Sequence, residues 1–221
     1  MAFSAGYPQV KIAVVSEYTA DEAAIKILID AVLGFKTDPV SRKWRPGGWS
    51  HVLKLLPTII KDLHYSSDAE GFVVVIDSDE SPVEVKSHEL SDVGNAKCRL
   101  CRLRRIVATE FTSLSAVSTK TRLKVALGLA VPQIEAWYRC GLDPHVSEDE
   151  WIRKLEGERL TYDRKSLKKS AYGSDRVSMA TQTKLATLAA TRLATDLDRL
   201  ARQFPNGFGS LIRDLRAWDE A

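Results

Sequence analysis

Phe72–Ile76, FVVVI, running directly into Asp77-Ser78-Asp79, is the stretch that decides the fold. It is apolar without alternation and rich in β-branched residues. Both faces of such a strand need cover, which is the signature of a parallel sheet rather than of a half-exposed antiparallel one. Upstream, Val10–Val15 (VKIAVV) reads as a second buried strand. Between the two, Thr19-x-x-Glu22 reads as a capping box opening a helix. Ala24, Ile25, Leu28, Ile29 and Val32 lie on one face of that helix, and Gly34 stops it. A second amphipathic helix carries Trp49, Val52, Leu53, Leu56, Ile59, Ile60 and Leu63. Downstream, residues 81–92 read as a polar loop and Gly94 to Phe111 as a helix. Leu123–Val131 (LKVALGLAV) reads as another strand, and a short helix after Pro132 contains Ile134, Glu135, Ala136 and Trp137. Strands alternating with helices predict an α/β fold with a Rossmann-like, mostly parallel sheet flanked by helices.

The pattern changes near Asp149. Trp151–Leu155, Ser178–Arg202 and Gly209–Trp218 all read as helices, the longest carrying Leu185, Ala189, Leu193, Leu197 and Leu200. The chain therefore divides into a sheet domain over 1–147 and a C-terminal helical extension over 148–221 packed on it.

The 221 residues are 44% hydrophobic and 28% charged with a net charge of +3, enough for a real core and weak as a nucleic-acid footprint. No apolar run is long enough for a bilayer and no signal peptide is recognised, so no membrane association is expected. Three cysteines argue against a disulfide framework, and a cytoplasmic location is expected. Cys98 and Cys101 have no second pair to complete a zinc site. Neither G-x-x-x-x-G-K-[ST] nor G-x-G-x-x-G occurs. An EF-hand beginning at Asp77 fails, because Pro82 stands where glycine is needed and His88 where the closing glutamate belongs.

In a parallel sheet the loops after the carboxyl ends of the strands gather along one edge, where ligands bind. Glu17 follows the first strand, and Asp77 and Asp79 follow the FVVVI strand. Convergent carboxylates repel, and a hard divalent cation such as Mg²⁺ relieves them. Each residue also has a plainer reading. Asp21 and Glu22 suit a helix first turn, and Asp77-Ser78-Asp79 suits a turn.

Glu17-Tyr18-Thr19-Ala20-Asp21 after a strand, with Asp77-Ser78-Asp79 after a later strand, resembles the Toprim pattern. The order EYTADE, VVVIDSD, VPQIEAWY and FPNGFGSLI is similar to RloB-like and OLD-type Toprim nucleases of bacterial phage defence. The resemblance implies Glu17 as the catalytic acid/base, and Asp21, Asp77 and Asp79, with Glu17, as ligands of Mg²⁺ or Mn²⁺. It carries a signature glutamate onto Glu135, as a metal ligand or a residue orienting one; the plain alternative is a dipole-favoured first-turn glutamate. It implies a nuclease cutting phosphodiester bonds, a partner ATPase in a separate chain, and a homo- or hetero-oligomer. Tyr18 departs from the pattern, since a small glycine usually follows the Toprim glutamate.

Arg42, Lys43, Trp44 and Arg45 combine charge with an aromatic ring and are candidates for nucleic-acid contact, as is Lys168 beside Lys165 and Lys169; the first group also suits a solvated loop whose Trp44 anchors onto the core, and the second plain solvated surface. Two other functions compete with the nuclease. One is a Toprim-like module that only docks a partner ATPase or nucleic acid. The other is a phosphatase using Asp77 as nucleophile and Asp79 as acid/base, which leaves Glu17 idle.

Overall fold

The computed structural model describes residues 10–40, 44–45, 47–83, 96–117, 121–174 and 176–218. Arg42, Lys43, most of the expected 81–92 loop and the expected helix start at Gly94 lie outside these residues. The strands are β1 (Lys11–Ser16), β2 (Asp38–Pro39), β3 (Gly71–Asp77) and β4 (Lys124–Ala130). They form one sheet in the order β2-β1-β3-β4, and every pairing is parallel. The helices are α1 (Thr19–Leu33), α2 (Trp49–Ser66), α3 (Arg99–Ser113), α4 (Ile134–Arg139), α5 (Glu148–Leu155), α6 (Arg164–Tyr172), α7 (Met179–Leu193), α8 (Leu197–Gln203) and α9 (Phe208–Arg216).

The strand order fixes which helix covers which face. Right-handed crossovers put the connecting helix on opposite faces when the chain steps left and when it steps right. The step from β1 to β2 places α1 on one face. The steps β2 to β3 and β3 to β4 run the other way and place α2 and α3 on the opposite face. The two cores follow. Ile12, Val14, Val73 and Val75 pack against Ala24, Ile25, Leu28 and Ile29 of α1. Ala13, Val15, Phe72, Val74 and Ile76 pack against Leu56, Ile59, Ile60 and Leu63 of α2 and Leu100 and Leu103 of α3.

This leaves β3 and β4 bare on the α1 face, and the C-terminal helices fill that space. Alanines 186 and 190 of α7 and Leu211, Ile212 and Leu215 of α9 belong to the same core as α1. Gly128 of β4 permits the approach of α9: a Cβ there would stand 3.2 Å from Val75 Cγ2 and 3.4 Å from Leu211 Cβ. Asp214 of α9 accepts from the Leu127 amide at 3.0 Å, which satisfies an outer donor of the edge strand. Trp151 of α5 joins the other core.

Three local expectations are corrected. Thr19 is not a cap: Tyr18 occupies the cap position with no side-chain cap bond, and Thr19 Oγ1 instead reaches Met179 Sδ at 3.6 Å. The single helix expected over Ser178–Arg202 is two, because Asp196 accepts from the Arg199 amide and starts α8 afresh. Residues 164–172, which the sequence marks only by Lys165, Lys168 and Lys169, form α6, opened by a capping box at Asp163 and Ser166.

No helix among the described residues is long and apolar enough to cross a membrane.

Candidate functional site

The sheet order reverses between β1 and β3, and the crevice beyond the carboxyl ends of those strands is where open α/β sheets bind ligands. Glu17 and Asp77 stand there. Glu17 Oε1 accepts from the Asp77 amide at 3.1 Å, and Oε2 accepts from the Trp49 amide at 2.9 Å. The second bond places the carboxylate at the positive end of α2. Gly48 makes the approach possible with φ +84, in a region closed to most side chains.

Asp77 is held in the same way by another helix. Its Oδ1 accepts from the Ile134 amide at 3.0 Å, at the start of α4. Asp79 adopts φ +50, unusual for a residue with a side chain. Its backbone is fixed on both sides: its amide donates to Pro132 O at 2.9 Å, and its carbonyl accepts from Trp151 Nε1 at 3.1 Å. Asp21, in the first turn of α1, is buried and accepts from Tyr138 Oη at 3.0 Å and Tyr172 Oη at 3.4 Å. Glu135, in the first turn of α4, is also buried.

Two arginines enter this group. Arg99, the first residue of α3, reaches Glu17 Oε1 at 3.3 Å, Asp77 O at 2.7 Å and Asp79 Oδ2 at 2.5 Å. Arg164 of α6 pairs with the other Asp79 oxygen. Arg99 also lies 5.2 Å from the Trp49 ring centroid, with Arg102 at 5.4 Å. Guanidinium groups thus neutralise Glu17 and Asp79, and among the described residues none is paired with the carboxyl group of Asp77, Asp21 or Glu135.

The titration of the cluster reflects that imbalance. Burial first, and then Glu135, Glu17, Asp21 and Asp79, push Asp77 well above the usual carboxylate range. Burial and the Glu135 charge push Asp21 up to about 7, against the pull of the two tyrosine hydroxyls. Burial raises Glu17, with Arg99 opposing it. Burial also raises Glu135, with Lys168 and Arg164 among the groups that lower it. Five carboxyl groups share one low-dielectric neighbourhood, and Asp77, Asp21 and Glu135, with no arginine on their oxygens, hold their protons to higher pH.

Glu17, Asp21, Asp77, Asp79 and Glu135 are therefore brought to one place. Among the described residues, however, no group of three or more histidine, cysteine, aspartate or glutamate side chains is arranged to close on one metal ion. Helix amides, tyrosine hydroxyls and Arg99 hold the carboxylates instead. The donor chemistry, all carboxylate oxygen, suits a hard divalent cation. Asp77, Asp21 and Glu135 would be the residues to hold one.

The basic candidates divide. Trp44 is half-buried against the α2–α3 core and Arg45 is exposed. Lys168 lies on α6 beside the cluster, 5.9 Å from the Tyr18 ring centroid. The sequence pattern alone singles out none of Arg99, Arg164, Tyr138 and Tyr172. Only the IEAWY segment, which puts Tyr138 one turn beyond Glu135, offered a signal. Cys98 caps α3, and its Sγ accepts from the Cys101 amide at 3.5 Å. The segment that aims Arg99 into the cluster is thus set by that cap.

Fold and site together define an α/β protein with an acidic cluster at the switch point of a parallel sheet. Comparison of the chain with protein-family models, curated proteins and solved structures found no match in any of the three.

Proposed function

We propose that this chain is a Toprim-type, metal-dependent nuclease that cuts phosphodiester bonds with Mg²⁺ or Mn²⁺. One observation carries the reading: five carboxyl groups from the β1, α1, β3 and α4 segments meet at the switch point, where burial first and then the other four raise the pKa of Asp77. Buried carboxyl groups that resist ionising beside one another ionise readily once a divalent cation takes the place of their protons. When bound there, a divalent cation supplies charge neutralisation for a phosphodiester and a Lewis-acid centre. Glu17, buried and raised in pKa, is suited to hold and release a proton beside it. Arg99 and Arg164 offer guanidinium charge to phosphate oxygens. A partner ATPase in a separate chain, and a role in phage defence, belong to the same proposal through the sequence resemblance.

The arginine pairs on Glu17 and Asp79 favour a second reading, a docking module whose acidic cluster is neutralised internally. Two measurements separate them. Titration calorimetry with Mn²⁺ on the wild type and on the Asp77→Asn, Asp79→Asn double variant should give heat only for the former; equal heats would end the metal site. Labelled DNA and RNA incubated with Mg²⁺, Mn²⁺ or EDTA should be cut only with metal, and not by Glu17→Ala. Metal binding without cleavage by any of these proteins would favour docking.

A further inference from the structure

Tyr18 is 57% exposed, although it directly follows Glu17, which is 8% exposed. Its backbone is extended and its side chain caps nothing. Folding leaves a large aromatic ring in water at the lip of the acidic cluster. Its neighbours form a rim of mixed chemistry. Lys168 Nζ lies 5.9 Å from the ring centroid, within cation–π range. The next residue, Thr19, touches Met179, which is itself 65% exposed. Arg164, on the same α6 face as Lys168 one turn earlier, retains 44% of its side-chain exposure while paired with Asp79.

Lys168 and Arg164 place positive charge on the rim above the carboxylate floor. The carboxylate floor repels phosphate, so a nucleic-acid backbone must be held by the cations on the rim. An aromatic face beside those cations takes a base whose own face is free. Bases in a duplex stack on one another, whereas unpaired bases stack on exposed tyrosines whatever their identity.

We infer that Tyr18 and Lys168 form a binding platform for single-stranded nucleic acid, the ring stacking one unpaired base and the ammonium holding the adjoining phosphate. The inference rests on the phosphodiester-cutting reading and narrows its substrate to unpaired strands. Tyr18, at the position where the Toprim pattern has a small residue, is then a substrate contact in its own right.

The test is fluorescence anisotropy in EDTA, so that binding is read without cleavage. The probes are labelled unstructured DNA and RNA oligonucleotides of roughly 12 nucleotides, within the site size of single-strand binders, and a blunt DNA hairpin. Wild type and Tyr18→Phe should bind the single strands equally. Tyr18→Ala should lose on the order of tenfold, one base–aromatic stack. Lys168→Gln should weaken binding and lower the salt slope by about 1. Hairpin binding should be weaker and indifferent to Tyr18. The better-bound single strand names DNA or RNA as the substrate. Equal single-strand affinity for wild type and Tyr18→Ala, or the same loss on the hairpin, overturns the platform. The two readings fail separately: Tyr18-dependent binding without metal-dependent cleavage removes the nuclease alone, and cleavage with an unchanged KM in Tyr18→Ala removes the platform alone.

Discussion

Arg99 is the residue on which the acidic site turns. Its guanidinium bridges Glu17 and Asp79 and donates to the Asp77 carbonyl, with only 15% of its side chain exposed. It supplies positive charge where a cation is expected, and it keeps the cluster folded without one. Removing one partner of a buried ion pair leaves the others uncompensated, at a cost of several kcal/mol. Arg99→Met, which keeps the apolar stem, should therefore lower stability by about 3 kcal/mol in EDTA, measured by denaturant unfolding. The same variant should be stabilised more by Mn²⁺ than the wild type is, because a divalent cation then meets carboxylates with no competitor. Equal Mn²⁺-induced shifts in the two proteins would show that Arg99 and the cation do not share the site. Nothing in the sequence announces this role. Arg99 lies among Arg102, Arg104 and Arg105 in one basic helix, and only the packing of α3 beside β3 selects it. Asp77 and Glu17 were legible because strand ends need only local pattern to be found. Their partners were not, because hydrogen bonds spanning 60 or 82 residues leave no periodicity behind.

At the scale of elements, the second buried carboxylate arrangement is a joint rather than a ligand site. Glu148, at the start of α5, is fully buried and accepts from the amides of Asn206 at 2.9 Å and Gly207 at 3.0 Å. It thereby ties α5 to the turn that launches α9. Gly207 brings that turn against β4, since a Cβ would stand 2.1 Å from Leu129 O. The FPNGFG segment stands out in the sequence, but its partner does not, because the bonds to Glu148 span 58 and 59 residues. Burial raises Glu148 from 4.5 to about 7, against the pull of the two amides. Between those values the folded chain holds a proton that the unfolded chain has released. Its contribution is therefore full below pH 4.5, declines as pH rises to about 7 and is constant above. The span corresponds to about 3 kcal/mol. Glu148→Gln cannot ionise, so its stability curve should be shallower than the wild type's by about that amount across this window, read from urea midpoints at successive pH values. Parallel curves would mean that Glu148 titrates normally in the folded protein.

For the whole molecule, the strand order dictates what the C-terminal helices are for. With β1 between β2 and β3, the crossover rule leaves the α1 face of β3 and β4 uncovered by the helices that connect the strands. A parallel sheet bare on one face exposes the strands' continuous apolar side to water. Helices α7 and α9 supply the missing cover, α7 against α1 and α9 against β4, and they share one core with both. The acidic cluster draws on the C-terminal helices too, through α6, where Tyr172 donates to Asp21 and Arg164 pairs with Asp79. The sequence change near Asp149 is thus a change of secondary structure within a shared core. A chain ended after residue 174 should lose cooperative unfolding altogether. Val73, Val75, Ile25 and Leu28 would stand open, and burying side chains of this size is worth about 2 kcal/mol each, in sum about as much as the net stability of a domain. The expected record is a broad, sloping thermal trace with native-like far-UV and absent near-UV circular dichroism. A sharp transition in the truncated chain, with its aromatic signals intact, would instead make the first 174 residues a self-sufficient domain and the rest an accessory to it.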